Sequence, residues 1–242
     1  MIQILIIILL ISLIIYALYN GVNKQYTITD YDLNNSGLIR TQEELQKNYS
    51  SSEFSNSYKN FTHLFWLKIR YPETGRILKH KTETTTNNKD ESLIIDFHKD
   101  SAVLDISLYD DNTSSPHLHI ERSNFPMNTW IFVVVVMNGN TLDLYLQNKL
   151  VDTRETASFL INSSISWSNI LYGKDSLDNL SDINFSEGNA FLSGHRFFPY
   201  QIQETEIDSV FKDEYPLYYN RENRYEFNLE LSKNGSSTKI TI

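Results

Sequence analysis

The stretch TWIFVVVVMNGNTLDLYLQNKLVDT, Thr129 to Thr153, decides the fold. Ile131 to Val136 is an unbroken apolar run. It is far shorter than the ~20 residues a membrane-spanning helix needs, and too rich in β-branched side chains for a comfortable helix. Leu142-Asp143-Leu144-Tyr145-Leu146 mixes alternation with a continuous apolar edge. Between them Asn138-Gly139-Asn140 is a strong turn signal. The reading is two antiparallel strands, the first buried on both faces or nearly so.

Bulk properties narrow the classes. Of 242 residues, 40% are hydrophobic and 13% aromatic, enough for a packed core. The formal net charge is -9 with no basic cluster to offset it, which argues against nucleic acid as a partner. The absence of cysteine removes disulfides, thiolate metal sites and cysteine nucleophiles together.

The chain opens MIQILIIILLISLIIYALYN, where only Gln3 and Ser12 are polar between Ile2 and Leu18. As a helix these residues reach roughly 26 Å, just short of a hydrocarbon core. A cleaved signal peptide is the rival, but no Lys or Arg precedes the run and Ala17-Leu18-Tyr19 is a poor cleavage site. The expectation is an uncleaved single-pass transmembrane anchor over residues 1–20, with its orientation left open. Eight Asn-x-Ser/Thr sequons, from Asn34 to Asn234, lean toward an extracytoplasmic domain.

Residues 21–50 read as a polar stem, with a strand-like piece at Tyr26 to Ile28 and a helical turn at Gln42 to Gln46. Strands are expected at Phe61 to Arg70, Ile77 to His80, Leu93 to His98, Val103 to Tyr109, His117 to Glu121, Ile131 to Val136, Leu142 to Leu146 and Ala190 to Phe198. Many short strands with little helix imply a sandwich or barrel. Residues 216–242 read as a tail that ends in a β-hairpin turning at Asn234-Gly235.

Three segments carry a resemblance. Phe61 to Lys68, FTHLFWLK, resembles an early strand written F-T-x-x-x-W-x-K. Trp130 to Val151 resembles a W-x-x-V-x-V hairpin leading to L-x-L-Y-x-N-G-x-L-V. Phe191 to Phe211 resembles a last strand and a short closing helix. Together they resemble a laminin-G-like domain of the concanavalin A-like superfamily. The resemblance implies an all-β, concanavalin A-like jelly-roll β-sandwich over residues 51–215. The pattern departs at Asn148-Lys149, where the usual glycine is missing, and at Gln203, where the usual serine N-cap is missing. Membrane-anchored proteins of this kind also occur among structural proteins of large DNA viruses.

The resemblance leaves function open, because one fold hosts lectins, adhesion modules, glycanases and structural parts. Tyr109, Asp110, Asp111 and Asn112 are the ligand-binding candidates. Asp110 and Asp111 offer hard oxygen ligands for Ca²⁺ in a rim loop, against the plainer reading of a polar turn. His117, His119 and Glu121 share one strand face, but His117 and Glu121 lie ~13 Å apart, too far to share one ion. That face reads as exposed sheet. Glu206-Ile207-Asp208 resembles part of a β-glucanase motif, yet the segment reads as helix and lacks the third acid at Phe211. The expected function is therefore a membrane-anchored, non-catalytic domain binding glycan or a protein surface. The alternative is a virion or envelope component linking a protein shell to a membrane, and a glycan hydrolase ranks third.

Overall fold

A computed structural model describes residues 30–34, 38–46, 49, 59–83, 92–109, 116–156, 166–173, 184–222, 228–233 and 236–241. Among them no helix is long and apolar enough to cross a membrane. The expected anchor at residues 1–20 and the piece at Tyr26 to Ile28 lie outside the described residues.

In chain order the elements are β1 (Asp30–Asp32), β2 (Leu38–Arg40), α1 (Gln42–Gln46), β3 (Asn60–Ile69), β4 (Gly75–Glu83), β5 (Ser92–His98) and β6 (Val103–Leu108). Then come β7 (Leu118–Arg122), β8 (Ile131–Asn138), β9 (Thr141–Leu146), β10 (Lys149–Glu155), β11 (Ser166–Tyr172), β12 (Ala190–Phe198) and α2 (Glu204–Glu222). The hairpin β13 (Asn228–Lys233) and β14 (Ser236–Thr241) follows as a sheet of its own. One six-stranded sheet runs β1-β12-β3-β8-β9-β10 and the other β2-β11-β4-β5-β6-β7. The pairings within the sandwich are antiparallel. The result is an all-β sandwich that fits a jelly roll.

The apolar run in β8 has two separate partners. Val133, Val135 and Met137 point into the core between the sheets. Phe132 points the other way and packs on Trp66 and on Phe211 of α2. A strand covered on both faces needs no polar alternation, so its sequence reads as a continuous run. In the second sheet β5, β6 and β7 are covered on one face and alternate cleanly. Leu93, Ile95, Phe97, Leu104, Ile106, Leu118 and Ile120 turn inward.

The closing helix is longer than its sequence signal, and the expected boundary at residue 215 falls inside it. Ile207, Phe211, Glu214 and Tyr218 recur at helical spacing along one stripe. Tyr218 stacks on Trp66 with ring centroids 4.1 Å apart, and the Trp66 Nε1–H donates to Glu214 Oε2 at 2.8 Å. With no serine cap, the Gln203 carbonyl accepts from the N–H groups of Glu206 and Ile207. Glu204 and Glu206 add negative charge to the first turn, where the helix dipole favours it.

β10 and β11 were not among the expected strands. β10 is a largely exposed edge with no inward apolar series. β11 carries an irregularity between Trp167 and Ile170 that breaks its period of two. The missing glycine at Asn148-Lys149 is absorbed one residue earlier. Gln147 and Asn148 both take positive φ, 50° and 57°, and make the two-residue turn. The Gln147 side chain holds this turn to the start of β8, accepting from the Phe132 N–H and donating to the Trp130 carbonyl. Part of the expected stem also joins the sheets, β1 beside β12 and β2 beside β11.

β12 reverses its inward face part-way. Ala190 and Leu192 point to the core, and so do His195 and Phe197, because the register slips between Ser193 and Arg196. Gly194 sits in that bulge at φ +60°, and a Cβ there would lie 3.0 Å from the Tyr218 hydroxyl. We expect Gly194→Ala to lower unfolding stability by about 1–2 kcal/mol, since alanine pays for left-handed backbone that glycine adopts freely. Urea denaturation at neutral pH checks this. An unchanged midpoint would show that the bulge is not held as described.

Candidate functional site

Three imidazoles meet in the middle of the sandwich. His63 of β3 and His195 of β12 come from one sheet, and His80 of β4 comes from the other. His63 Nδ1 lies 3.0 Å from His195 Nε2, and His63 Nε2 lies 3.1 Å from His80 Nδ1. At the far end the Tyr172 hydroxyl lies 2.8 Å from His195 Nδ1. Trp167 stacks flat on His80 at 4.1 Å, and Phe197 meets it edge-on at 4.8 Å.

Burial sets the charge state of this chain. Desolvation takes the His63 pKa down to about 3. Desolvation, joined by the neighbouring histidines, takes His80 well below its usual value. His195 is likewise well below, through desolvation, His63 and Arg40. Burial pushes the Tyr172 hydroxyl up, so it keeps its proton. Four neutral groups can then be bonded in one direction. Arg40 donates to Tyr172, Tyr172 to His195, His195 to His63 and His63 to His80. The last nitrogen, His80 Nε2, has no hydrogen-bond partner among the described residues. This set is poorly suited to hold one metal ion, because each contact uses a different pair of ring nitrogens and no single point faces all three rings.

The chain surfaces at Arg40, on the side where β2 meets β12. Arg40 also donates to the His195 carbonyl at 3.3 Å. Beside it lies a shallow cleft of about 150 Å³ lined by Arg40, Glu44, Leu45, Tyr49, Arg196 and the Phe197–Phe198 pair. Thr41 and Glu44 form a reciprocal capping box that starts α1 and fixes Glu44 at the cleft wall. Leu45 is buried beneath. The Tyr49 hydroxyl donates to the Phe197 carbonyl at 3.0 Å. Tyr200, 41% exposed, meets Tyr49 edge-to-face. Arg196 pairs with Glu214 of α2. The cleft thus presents two guanidinium groups, a carboxylate and aromatic rings over a few residues.

The other sequence candidates are dispersed. Tyr109 directly follows β6 and is half-buried. Asp110, Asp111 and Asn112 lie outside the described residues. Glu206 and Asp208 lie on α2, where Asp208 accepts from Asn148 and Lys212, bonds that hold its carboxyl below the usual range. His117 approaches the Thr156 hydroxyl, while His119 and Glu121 gather with residues of neighbouring strands. Neither the histidine chain nor the cleft is signalled in the sequence, since they join segments as distant as Arg40 and His195, 155 positions apart. The available clue was His63, at an inward position between Phe61 and Phe65.

The sandwich, its closing helix and the covered β8 agree with a known family. The family profile of the concanavalin A-like lectin/glucanases superfamily matches residues 46–208. The chain belongs to this superfamily. No curated protein sequence matches it. Among solved structures it is similar to a Trypanosoma rangeli sialidase in complex with sialic acid, with a TM-score of 0.54 and 13% identity over 76% of this chain and 27% of that one. It is similar to botulinum neurotoxin type C, whose cell entry depends on two ganglioside molecules, with a TM-score of 0.53 and 21% identity over 79% and 44%. It is also similar to the binding domain of botulinum neurotoxin DC in complex with rat synaptotagmin II, with a TM-score of 0.50 and 18% identity over 76% and 42%. The chain therefore spans less than half the length of these three, and at such identities the likeness is one of fold.

The buried histidines make stability pH-dependent. The folded pKa lies below the unfolded value near 6.5, so the unfolded chain takes up protons first as pH falls. The stabilisation is complete above pH 6.5 and is lost progressively below it, for His63 down to about pH 3. Moving from pH 7.5 to 5.5 should cost about 1.4 kcal/mol for each histidine held neutral. Urea denaturation at both pH values checks this. A flat profile would show that the three rings are not kept neutral.

Proposed function

We propose that this chain is a membrane-anchored, non-catalytic recognition domain that binds a glycan, with the Arg40–Arg196 cleft as its contact site. The observation that carries this reading is the make-up of the cleft. Guanidinium groups and a carboxylate offer planar hydrogen bonding to hydroxyl or carboxyl groups, while Tyr49, Phe198 and the nearby Tyr200 offer faces for a sugar ring. The similar proteins engage gangliosides, sialic acid and rat synaptotagmin II, which supports recognition of a glycan or a protein surface. Residues 1–20 would tether the domain to a membrane, with the sandwich on the extracytoplasmic side.

A hydrolase would need two acids facing one cleft. Glu206 and Asp208 share a helix instead, with Asp208 tied to Lys212 and Asn148. The Ca²⁺ reading of Asp110 and Asp111 remains part of the proposal, as a second ligand contact in the Tyr109–Asn112 loop. A structural role in a virion is the alternative. Tyr215 and Tyr219 of α2 favour it, being exposed and stacked at 5.5 Å on the outer side of the helix, where a protein partner could cover them.

A glycan array with the full chain in detergent, run with Ca²⁺ and with EDTA, tests the reading. Saturable binding to one glycan class is expected, weakened roughly tenfold by Arg196→Ala, the loss of one charge-assisted contact. Loss of binding in EDTA and in Asp110→Asn would place the ligand on the loop. A folded chain that binds no glycan in either buffer would overturn the glycan reading in favour of a protein partner.

A further inference from the structure

The outer face of the second sheet should be unremarkable solvated strand, yet it gathers two imidazoles and two carboxylates. Three strands in register bring them together. Asp105 of β6 stands opposite Glu121 of β7, and Ser107 stands opposite His119. His98 closes β5, two residues beyond Asp96, which stands opposite Asp105. With a period of two, all four side chains leave by the same face.

The two imidazoles converge on one carboxylate oxygen, and Glu121 joins through His119. Asp105 Oδ2 lies 3.0 Å from His119 Nε2 and 3.5 Å from His98 Nε2. Glu121 Oε1 lies 3.8 Å from His119 Nε2. One ligand atom each of Asp105, His119 and Glu121 fall within 4.8 Å of one another. A tetrahedral ion with bonds near 2.1 Å separates its ligands by roughly 3.4 Å. Among Asp105, His119 and Glu121 the spacings bracket that value, so an ion on these three needs only small side-chain rotations, and His98, 3.5 Å from Asp105 Oδ2, turns in as the fourth ligand. His98 and His119, at 41% and 38% exposure, have room to make them. Asp105 is already oriented, because the Ser107 hydroxyl donates to Oδ1 at 2.9 Å and leaves Oδ2 to the cluster.

We propose that Asp105, His119, Glu121 and His98 form a binding site for a zinc-class divalent cation. Two imidazole nitrogens with two carboxylates suit Zn²⁺ and its transition-metal neighbours, and do not suit Ca²⁺, which takes oxygen ligands. The nearby Arg76 guanidinium does not oppose the ion, since it is bound in bidentate fashion to Asp96. The site lies on three adjacent strands of the second sheet, is separate from the Arg40–Arg196 cleft, and does not depend on the glycan reading.

The test is a calorimetric Zn²⁺ titration of the full chain, purified without a polyhistidine tag and stripped with chelator. Co²⁺ absorption reports the coordination geometry. One ion per chain is expected, with affinity reduced roughly tenfold or more by His119→Ala or Asp105→Asn. His98→Ala should weaken binding as well. His117→Ala, just before the same strand and turned to Thr156, should leave it unchanged. Circular dichroism confirms that each variant is folded. Absence of stoichiometric binding, or affinity that survives both His119→Ala and Asp105→Asn, would overturn the site and leave a hydrogen-bonded His–Asp–His group.

Discussion

The sandwich depends on keeping three imidazoles uncharged between its sheets. Among the described residues no carboxylate pairs with these rings, and burying an unpaired charge costs several kcal/mol. His63, His80 and His195 avoid that by sharing hydrogen bonds with one another and with Tyr172. The chain crosses the gap between the sheets, so it also fixes their relative position in a way that interchangeable apolar contacts do not. Its geometry requires the bulge at Gly194, without which β12 would point His195 away from the core.

The same chain links the interior to the surface. Arg40 holds the outer end by its bonds to Tyr172 and to the His195 carbonyl, and it lines the cleft. The cleft wall is thus anchored to the core rather than carried on a loose loop. A rigid contact surface loses less conformational entropy on binding, which suits the recognition role proposed for it. The outer face of β5, β6 and β7 is set for a different chemistry, since its histidines are half-exposed and Glu121 faces solvent.

The fold was largely legible in the sequence because its strongest signals are local. Ile131 to Val136 announced a strand covered on both faces, and Phe132 on α2 with Val133 in the core is the physical reason. The alternation of His117 to Glu121 announced a sheet with one exposed face, and Leu118 and Ile120 in the core are the physical reason. What escaped notice lacked local pattern. β10 is an exposed edge, β11 is interrupted by a bulge, and α2 continues through Pro216 past the expected end. The candidate sites were less legible, because they are products of register. His119 and Glu121 were visible as a pair on one strand face, but Asp105 and His98 join them only when β5, β6 and β7 are aligned. The Tyr109–Asn112 segment offers oxygen ligands in the sequence, and Tyr109 alone falls among the described residues.

The most direct measurement is of the histidine ring nitrogens themselves. Long-range ¹H–¹⁵N NMR of the uniformly labelled full chain in detergent, at pH 5.5, distinguishes neutral from charged imidazole for each of the six histidines. His63, His80 and His195, assigned by single substitution, should each show a neutral ring in one fixed tautomer, with the proton on Nε2. Charged-ring signals from these three in a folded chain would contradict the neutral chain on which the architecture rests.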